Sequence, residues 1–368
     1  MASPLPRGRI KSRPEDFVVS EIAAYEPSGA GDHVFVRLTK VQRTTLDVVS
    51  DLARALGCDS REAGYAGMKD KRAVATQTIS LHVPRGAQAA DLVARARAVA
   101  IDGVTILDAA AHGNKLKPGH LDGNAFDIVI RGLAVESAEP VFRELARIRG
   151  EGVPNAFGAQ RFGSRRDGRD NVARARAWLQ GREAGPRDRR VQRLLWSSLQ
   201  SAVFNAVLAA RVTDGTWATP LSGDLLKLRT TGGLFVCADP QGDRERAITG
   251  EVSPTGPIVG ARMRWPSGVP EDLERSIAGP LLEGIDLART RALGEGSRRA
   301  LRIWVEDLGW ELLPANPEDR GNGTASVRVH FVLPKGGYAT TVLAGAVALD
   351  EPEGESRDDG QHDETPSD

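Results

Sequence analysis

Apolar, largely β-branched and aromatic positions cluster over residues 17–22 and again over 33–38 and read as strands. The run Pro27-Ser28-Gly29-Ala30-Gly31-Asp32 between them is rich in turn formers, so the two strands are expected to pair antiparallel. The pattern then changes. Leu46, Val49, Leu52, Ala53 and Leu56 recur every three or four positions, which predicts a helix capped by Thr45 and ended by Gly57. Residues 78–83 read as a strand, Asp91 opens a helix to about residue 100, and 104–107 form a short strand. Phe126, Ile128 and Ile130 alternate on one face of a further strand, and a helix covers about 139–149. Val191, Leu194, Leu195, Leu199, Ala202, Val203, Val207 and Leu208 mark one face of a helix running to about 212. Residues 223–228 and 233–237 read as strands, and Pro254-Thr255-Gly256-Pro257 as a turn. Residues 326–333 alternate cleanly, and a helix over 341–349 is expected to close the fold. Strands joined by hairpin-like links, with helices between them at irregular intervals, point to an α+β fold rather than a doubly wound sheet.

The chain is 40% hydrophobic and 27% charged over 368 residues, enough for two domains with real cores. It contains no apolar run long enough to span a bilayer, and its first residues lack the apolar core of a secretory signal. Cys58 and Cys237 are far apart and match no metal knuckle, so reduced thiols in a cytoplasm are expected. The net charge of zero conceals an asymmetry. Residues 350–368 carry nine acids and one arginine, leaving 48 basic and 40 acidic residues in the body. A moderately basic body suits a polyanionic partner. The acidic segment, almost devoid of apolar residues, is expected to be disordered.

Candidate chemistry concentrates in Gly64-Tyr65-Ala66-Gly67-Met68-Lys69-Asp70-Lys71-Arg72-Ala73, just ahead of a predicted strand. Cations on both sides of Asp70 favour its ionised carboxylate, which can serve as nucleophile or electrostatic stabiliser. By local composition alone, a solvated and inert surface turn is the commoner outcome for such a run. Phe157, Arg161, Phe162, Arg165 and Arg166 interleave with glycines, a mixture suited to stacking on bases and meeting phosphates; a glycine-rich linker with ordinary salt bridges reads equally well. No P-loop, zinc-binding helix, Cys-x-x-Cys pair or nucleophile elbow occurs, and the six histidines are scattered. No cofactor or metal is expected.

Five stretches together resemble a known family. These are Pro14-Glu15-Asp16-Phe17, the run from Ala66 through Lys69-Asp70-Lys71-Arg72 to Gln77, and Lys115-Leu116-Lys117 with Gly123-Asn124-Ala125-Phe126. Val153-Pro154-Asn155 with Phe157-Gly158-Ala159-Gln160-Arg161-Phe162-Gly163, and Leu333-Pro334-Lys335-Gly336-Gly337-Tyr338-Ala339-Thr340, complete the set. In this order they resemble the TruD family of tRNA pseudouridine synthases. The resemblance implies a pseudouridine synthase-like catalytic domain with a mixed, largely antiparallel sheet. That domain would be formed by residues 1–151 and 301–349, interrupted by an inserted α+β domain over 152–300 and followed by an acidic tail over 350–368.

It further implies isomerisation of uridine to pseudouridine in tRNA, at position 13 in bacterial members, without a cofactor. By the same resemblance Asp70 is the catalytic carboxylate and Lys11 its basic partner. Phe17 and Phe126 would lie against an extruded base, with Asn124 in the pocket wall. Tyr338 takes a position that is Phe in bacterial relatives, keeping the stacking face and adding a hydroxyl. tRNA is the expected partner, the protein a cytoplasmic monomer. An RNA-binding module or tRNA-folding chaperone without catalysis, its Asp70 a structural ion pair, is the alternative.

Overall fold

The computed structural model describes residues 4–158, 161–163, 169–315 and 317–351. The expected acidic tail, apart from its first two residues, lies outside the described residues, as does part of the Phe- and Arg-containing stretch after Gly158. In chain order the first part holds strands β1 (Arg7–Arg9), β2 (Phe17–Ala23) and β3 (His33–Val41), helix α1 (Thr45–Leu56), and strands β4 (Gly64–Tyr65) and β5 (Val74–His82). Helix α2 (Ala89–Ala98), strands β6 (Val104–His112) and β7 (Leu121–Ala134), and helix α3 (Ala138–Glu151) follow. Next come β8 (Val153–Pro154), α4 (Asn171–Leu179), α5 (Arg189–Thr213), β9 (Leu225–Leu228), β10 (Leu234–Val236), α6 (Pro240–Ile248), β11 (Val252–Ile258), α7 (Val269–Leu282), β12 (Ser297–Ala300) and β13 (Arg302–Ile303). The last part adds β14 (Glu306–Leu312), α8 (Pro317–Asn322), β15 (Thr324–Pro334), α9 (Ala339–Leu343) and β16 (Ala348–Asp350). The chain up to Arg149 and from Val305 onward forms one compact unit, and Gly150–Trp304 forms a second.

The first unit is built on a mixed sheet with the strand path β14-β15-β7-β2-β5-β3-β6. All its neighbours on that path are antiparallel except β2 and β5, which run parallel with Val18 opposite Val74. One face of β3, β5 and β6 is covered by α1 and α2. Val34, Val36, Leu38, Ile79 and Leu81 meet Val48, Val49, Leu52, Leu56, Leu92 and Ala96 there, all essentially inaccessible. The α+β class is as expected, and the late strand β15 returns to the first half of the chain, pairing with β7 along its length.

Several local expectations change. β2 and β3 do not pair with each other: β5 lies between them, parallel to β2 and antiparallel to β3. Thr44, not Thr45, caps α1, accepting from the Asp47 amide in a reciprocal capping box. Of two adjacent threonines, the one three residues ahead of an acid makes the box, and this releases the Thr45 hydroxyl for other contacts. Asp91 lies inside α2, whose cap is Gln88. Residues 254–257 are not a turn but the buried middle of β11. That strand pairs β9 through Val252–Pro254 and β12 through Thr255–Ile258, so its prolines fall where it changes partners. The closing helix is only Ala339–Leu343, and the chain then forms β16 beside β1 in parallel register.

The second unit has its own core, in which Leu195, Trp196, Leu199 and Val203 of α5 pack with Val259 and Met263. Two ion pairs are sealed inside it. Arg298 reaches Glu274 at 2.6 Å and Thr255, and Arg211 reaches Asp224 at 2.9 Å. Gln200 and Asn205, both on α5, are satisfied core amides: Gln200 donates to the Val259 carbonyl, and Asn205 brackets the main chain of Phe157. The Phe157 ring packs on Phe204 and under the Arg299 guanidinium.

Candidate active site

Parallel pairing of β2 with β5 brings together what precedes each strand. Register Val18–Val74 sets the segment from Lys11 to Phe17 beside the segment from Lys69 to Ala73. Across β2 lies β7, with Val19 opposite Phe126 and Glu21 opposite Asn124, and Phe331 of β15 opposite Phe126 in turn. Side chains directly opposite across a ladder share a face, so Phe17, Val19, Glu21, Asn124, Phe126 and Phe331 stand on one side of the sheet.

On that side the Lys11 ammonium lies 2.8 Å from Asp70 Oδ2 and 4.6 Å from the centre of the Phe17 ring. The lysine side chain is 4% exposed and the aspartate 38%, so the cation is sunk and the carboxylate faces outward. Lys11 holds a left-handed backbone, φ 57°, uncommon for a residue with a side chain. Lys11 also contacts Glu351 Oε2 at 3.2 Å. Phe17 meets the half-buried Phe126 edge-on at 6.1 Å, and Phe126 packs on buried Phe331 at 5.4 Å. Together the rings make an apolar floor that ends at an ion pair.

Contacts therefore join four of the sequence-designated residues, Lys11, Phe17, Asp70 and Phe126. Asn124 lies two residues along the strand from Phe126, and among the described residues its buried Oδ1 has no hydrogen-bond partner. Tyr338 is half-buried at the start of α9, five residues past Leu333, which pairs with Asn124. The flanking cations are arranged differently from a simple clamp. Lys69 turns inward to Glu21 at 3.1 Å, both side chains less than a tenth exposed, while Lys71 and Arg72 are exposed. Burial outweighs that partnership and pushes the Glu21 carboxyl above its ordinary value, although Lys69 and the Thr78 amide pull the other way.

Two further residues in the site, Lys40 and Thr45, lie outside the motif runs. Lys40, fully buried, donates to the carbonyls of Arg43 at 2.6 Å, Asp70 at 2.8 Å and Lys69 at 3.3 Å. The Thr45 hydroxyl accepts from the Lys69 amide at 3.0 Å and donates to Gln77 Oε1 at 3.0 Å. The signal for Lys40 is present in the alternation, because it continues the inward row Val34, Val36, Leu38 where an apolar side chain belongs. Beside Lys11, a cavity of about 410 Å³ is lined by Arg7, Arg9, Arg13 and Arg131 together with Asp319 and Asp350. Arg131 is held in a two-pronged pair with buried Asp16, through Nε at 2.8 Å and Nη2 at 2.6 Å. An ionised carboxylate beside a cation, an aromatic floor and a neighbouring arginine-lined cleft can bind a planar base and act on it nucleophilically. No group of three or more metal-ligating side chains occurs among the described residues, and no described helix is long and apolar enough to cross a membrane.

The family model for tRNA pseudouridine synthase D (TruD) matches residues 3–178 and 186–345. A tRNA pseudouridine synthase D of an Anaeromyxobacter species is 42% identical over 344 residues, covering 91% of each chain. That of Thermus thermophilus is 37% identical over 338 residues, covering 91% of this chain and 87% of its own. The fold matches the crystal structure of a Methanosarcina mazei protein assigned to tRNA pseudouridine synthase D with a TM-score of 0.72, at 21% identity, over 94% of this chain and 95% of the other. On these matches the chain belongs to the TruD family of tRNA pseudouridine synthases, a family of isomerases.

Proposed function

We propose that this protein isomerises uridine to pseudouridine at position 13 of tRNA, with Asp70 as the catalytic carboxylate. The observation that carries the reading is the Lys11–Asp70 pair, a buried ammonium 2.8 Å from an outward-facing carboxylate at the edge of an aromatic floor. A uracil inside a tRNA stack is out of reach, so it is extruded onto the Phe17–Phe126 surface. Asn124, whose buried Oδ1 is not committed within the described residues, meets the polar edge of the base. Tyr338 adds a further ring from α9 once substrate is bound. The carboxylate attacks the sugar carbon or the base, the glycosidic C–N bond breaks, and the uracil rotates. A C–C bond from carbon 5 to the sugar carbon then forms; on the first route it displaces the carboxylate from that carbon, and on the second the carboxylate is afterwards eliminated from the base, so Asp70 is regenerated while carbon 5 loses its proton and N1 gains one. Both routes require an ionised Asp70, which Lys11 favours by charge.

Inserted residues 152–300 and the arginines beside Lys11 contact the tRNA backbone, the protein acting in the cytoplasm as a monomer. The assignment to position 13 rests on the bacterial members of the family that the chain resembles. The test is Asp70→Asn with an unmodified tRNA transcript, followed by isomer mapping at each uridine. The variant is expected to bind tRNA within about threefold of the parent while its single-turnover rate falls by roughly a thousandfold or more, about 4 kcal/mol. Undiminished turnover would remove Asp70 from the chemistry, and conversion at another uridine would remove the position assignment. Tight, salt-sensitive binding by the unaltered protein with no pseudouridine formed would favour the non-catalytic alternative.

A further inference from the structure

We propose that Lys40 and Thr45 are positioning residues that fix the main chain of Lys69 and Asp70 from two sides and so aim the Asp70 carboxylate. The inference rests on Asp70 being the catalytic group. Lys40 is fully inaccessible, and burying an ammonium is costly unless each of its protons finds an acceptor. Its three donors meet three main-chain carbonyls, two of which belong to Lys69 and Asp70. From the other side the Lys69 amide donates to Thr45 Oγ1, whose own proton goes to Gln77, itself 1% exposed. Both the amide and the carbonyl of Lys69, and the carbonyl of Asp70, are thereby tied to side chains on β3 and α1, two elements locked in the same core.

The segment needs such ties. Residues 66–73 belong to no helix or strand, so no ladder fixes them. A loop carboxylate that wandered by about 1 Å would lose on the order of a hundredfold in rate, since reactivity depends steeply on approach geometry. Charge-assisted bonds to main-chain carbonyls are the stronger kind and hold direction as well as distance. The Lys40 ammonium, 2.8 Å from the Asp70 carbonyl, also adds fixed positive charge close to that peptide.

Two substitutions separate this from a merely structural role. Lys40→Met keeps length and volume but removes the donors and the charge. Thr45→Val keeps shape and removes both hydroxyl contacts while leaving Thr44 to cap α1. Single-turnover rate and tRNA affinity are measured for each, with Asp70→Asn alongside. The expected result is a rate loss of at least about thirtyfold for Lys40→Met and about tenfold for Thr45→Val, with tRNA affinity within threefold of the parent in both. Lys40→Arg, which preserves charge and donors, is expected to recover part of the rate. Parent-like rates in folded Lys40→Met overturn the inference while leaving Asp70 intact. Should Lys40→Met not fold, Thr45→Val decides: a parent-like rate there also overturns it. If Asp70→Asn retains turnover, the underlying reading fails instead.

Discussion

Replacing Lys11 by methionine removes the ammonium beside Asp70 and keeps most of the stem that lies over the Phe17 ring. The magnitude follows from the separation. Two unit charges 2.8 Å apart attract by about 6 kcal/mol at an effective dielectric of 20, and by about 1.5 kcal/mol in bulk water. With the carboxylate 38% exposed, solvent screening draws the figure toward the lower bound, to about 2–3 kcal/mol. If the transition state uses that attraction, the rate falls by roughly 30- to 150-fold. The assay is single-turnover conversion of saturating enzyme with labelled tRNA, so that binding and product release drop out. A double variant with Asp70→Asn should be no slower than Asp70→Asn alone, because the lysine acts only through the carboxylate. Lys11→Met at the parent rate, or additive losses in the double variant, would refute the reasoning.

Two further outcomes concern stability. Glu274→Ala leaves the Arg298 guanidinium buried without its carboxylate, Thr255 being its other hydrogen-bond partner among the described residues, and is expected to cost about 3–5 kcal/mol in the second unit, read as a lowered urea midpoint. An unchanged midpoint would mean that the pair is not sealed. Glu21 is held above its ordinary 4.5 by burial, so the folded state binds its proton more tightly than the unfolded state does. Its contribution to stability is therefore fully present below pH 4.5 and is lost as pH rises through the folded value. Glu21→Gln should flatten the dependence of the urea midpoint on pH above 4.5; superimposable parent and variant profiles would contradict it. Glu274 is shifted in the same direction, so a residual slope should persist.

Much of the architecture was legible because the periodicities are clean. The row Phe17, Val19 and the row Val34, Val36, Leu38 announce strands, and the stripe Val49, Leu52, Leu56 announces a helix that must cover them. What local pattern could not supply was partnership. β1 and β16 are three residues each; β16 forms beside β1, which in turn meets β7 at Arg9. β11 contains two prolines and a glycine, a turn composition by any local rule, and is a strand because the sheet on each side requires it. For the site, Asp70 stood out by its charged neighbours, but the neighbours misled. Adjacent cations are expected to surround it, whereas Lys69 is spent on Glu21 and the ammonium 2.8 Å from Asp70 comes from Lys11, 59 residues away. That pairing follows from a parallel ladder, which joins distant strand starts and leaves no trace in local composition. Glu21 and Lys40 could have been found as charged residues interrupting apolar rows.

Asp350 is the last residue of β16, and Glu351 already touches Lys11. The polypeptide after it thus sets out from the mouth of the cleft, and the seventeen residues that follow hold seven acids against one arginine. Any cargo appended to that end, whether an affinity handle or a fluorescent reporter, would be leashed beside Lys11, where the proposed function has the tRNA enter. Comparisons of turnover between differently fused versions would then report on the leash as much as on the enzyme.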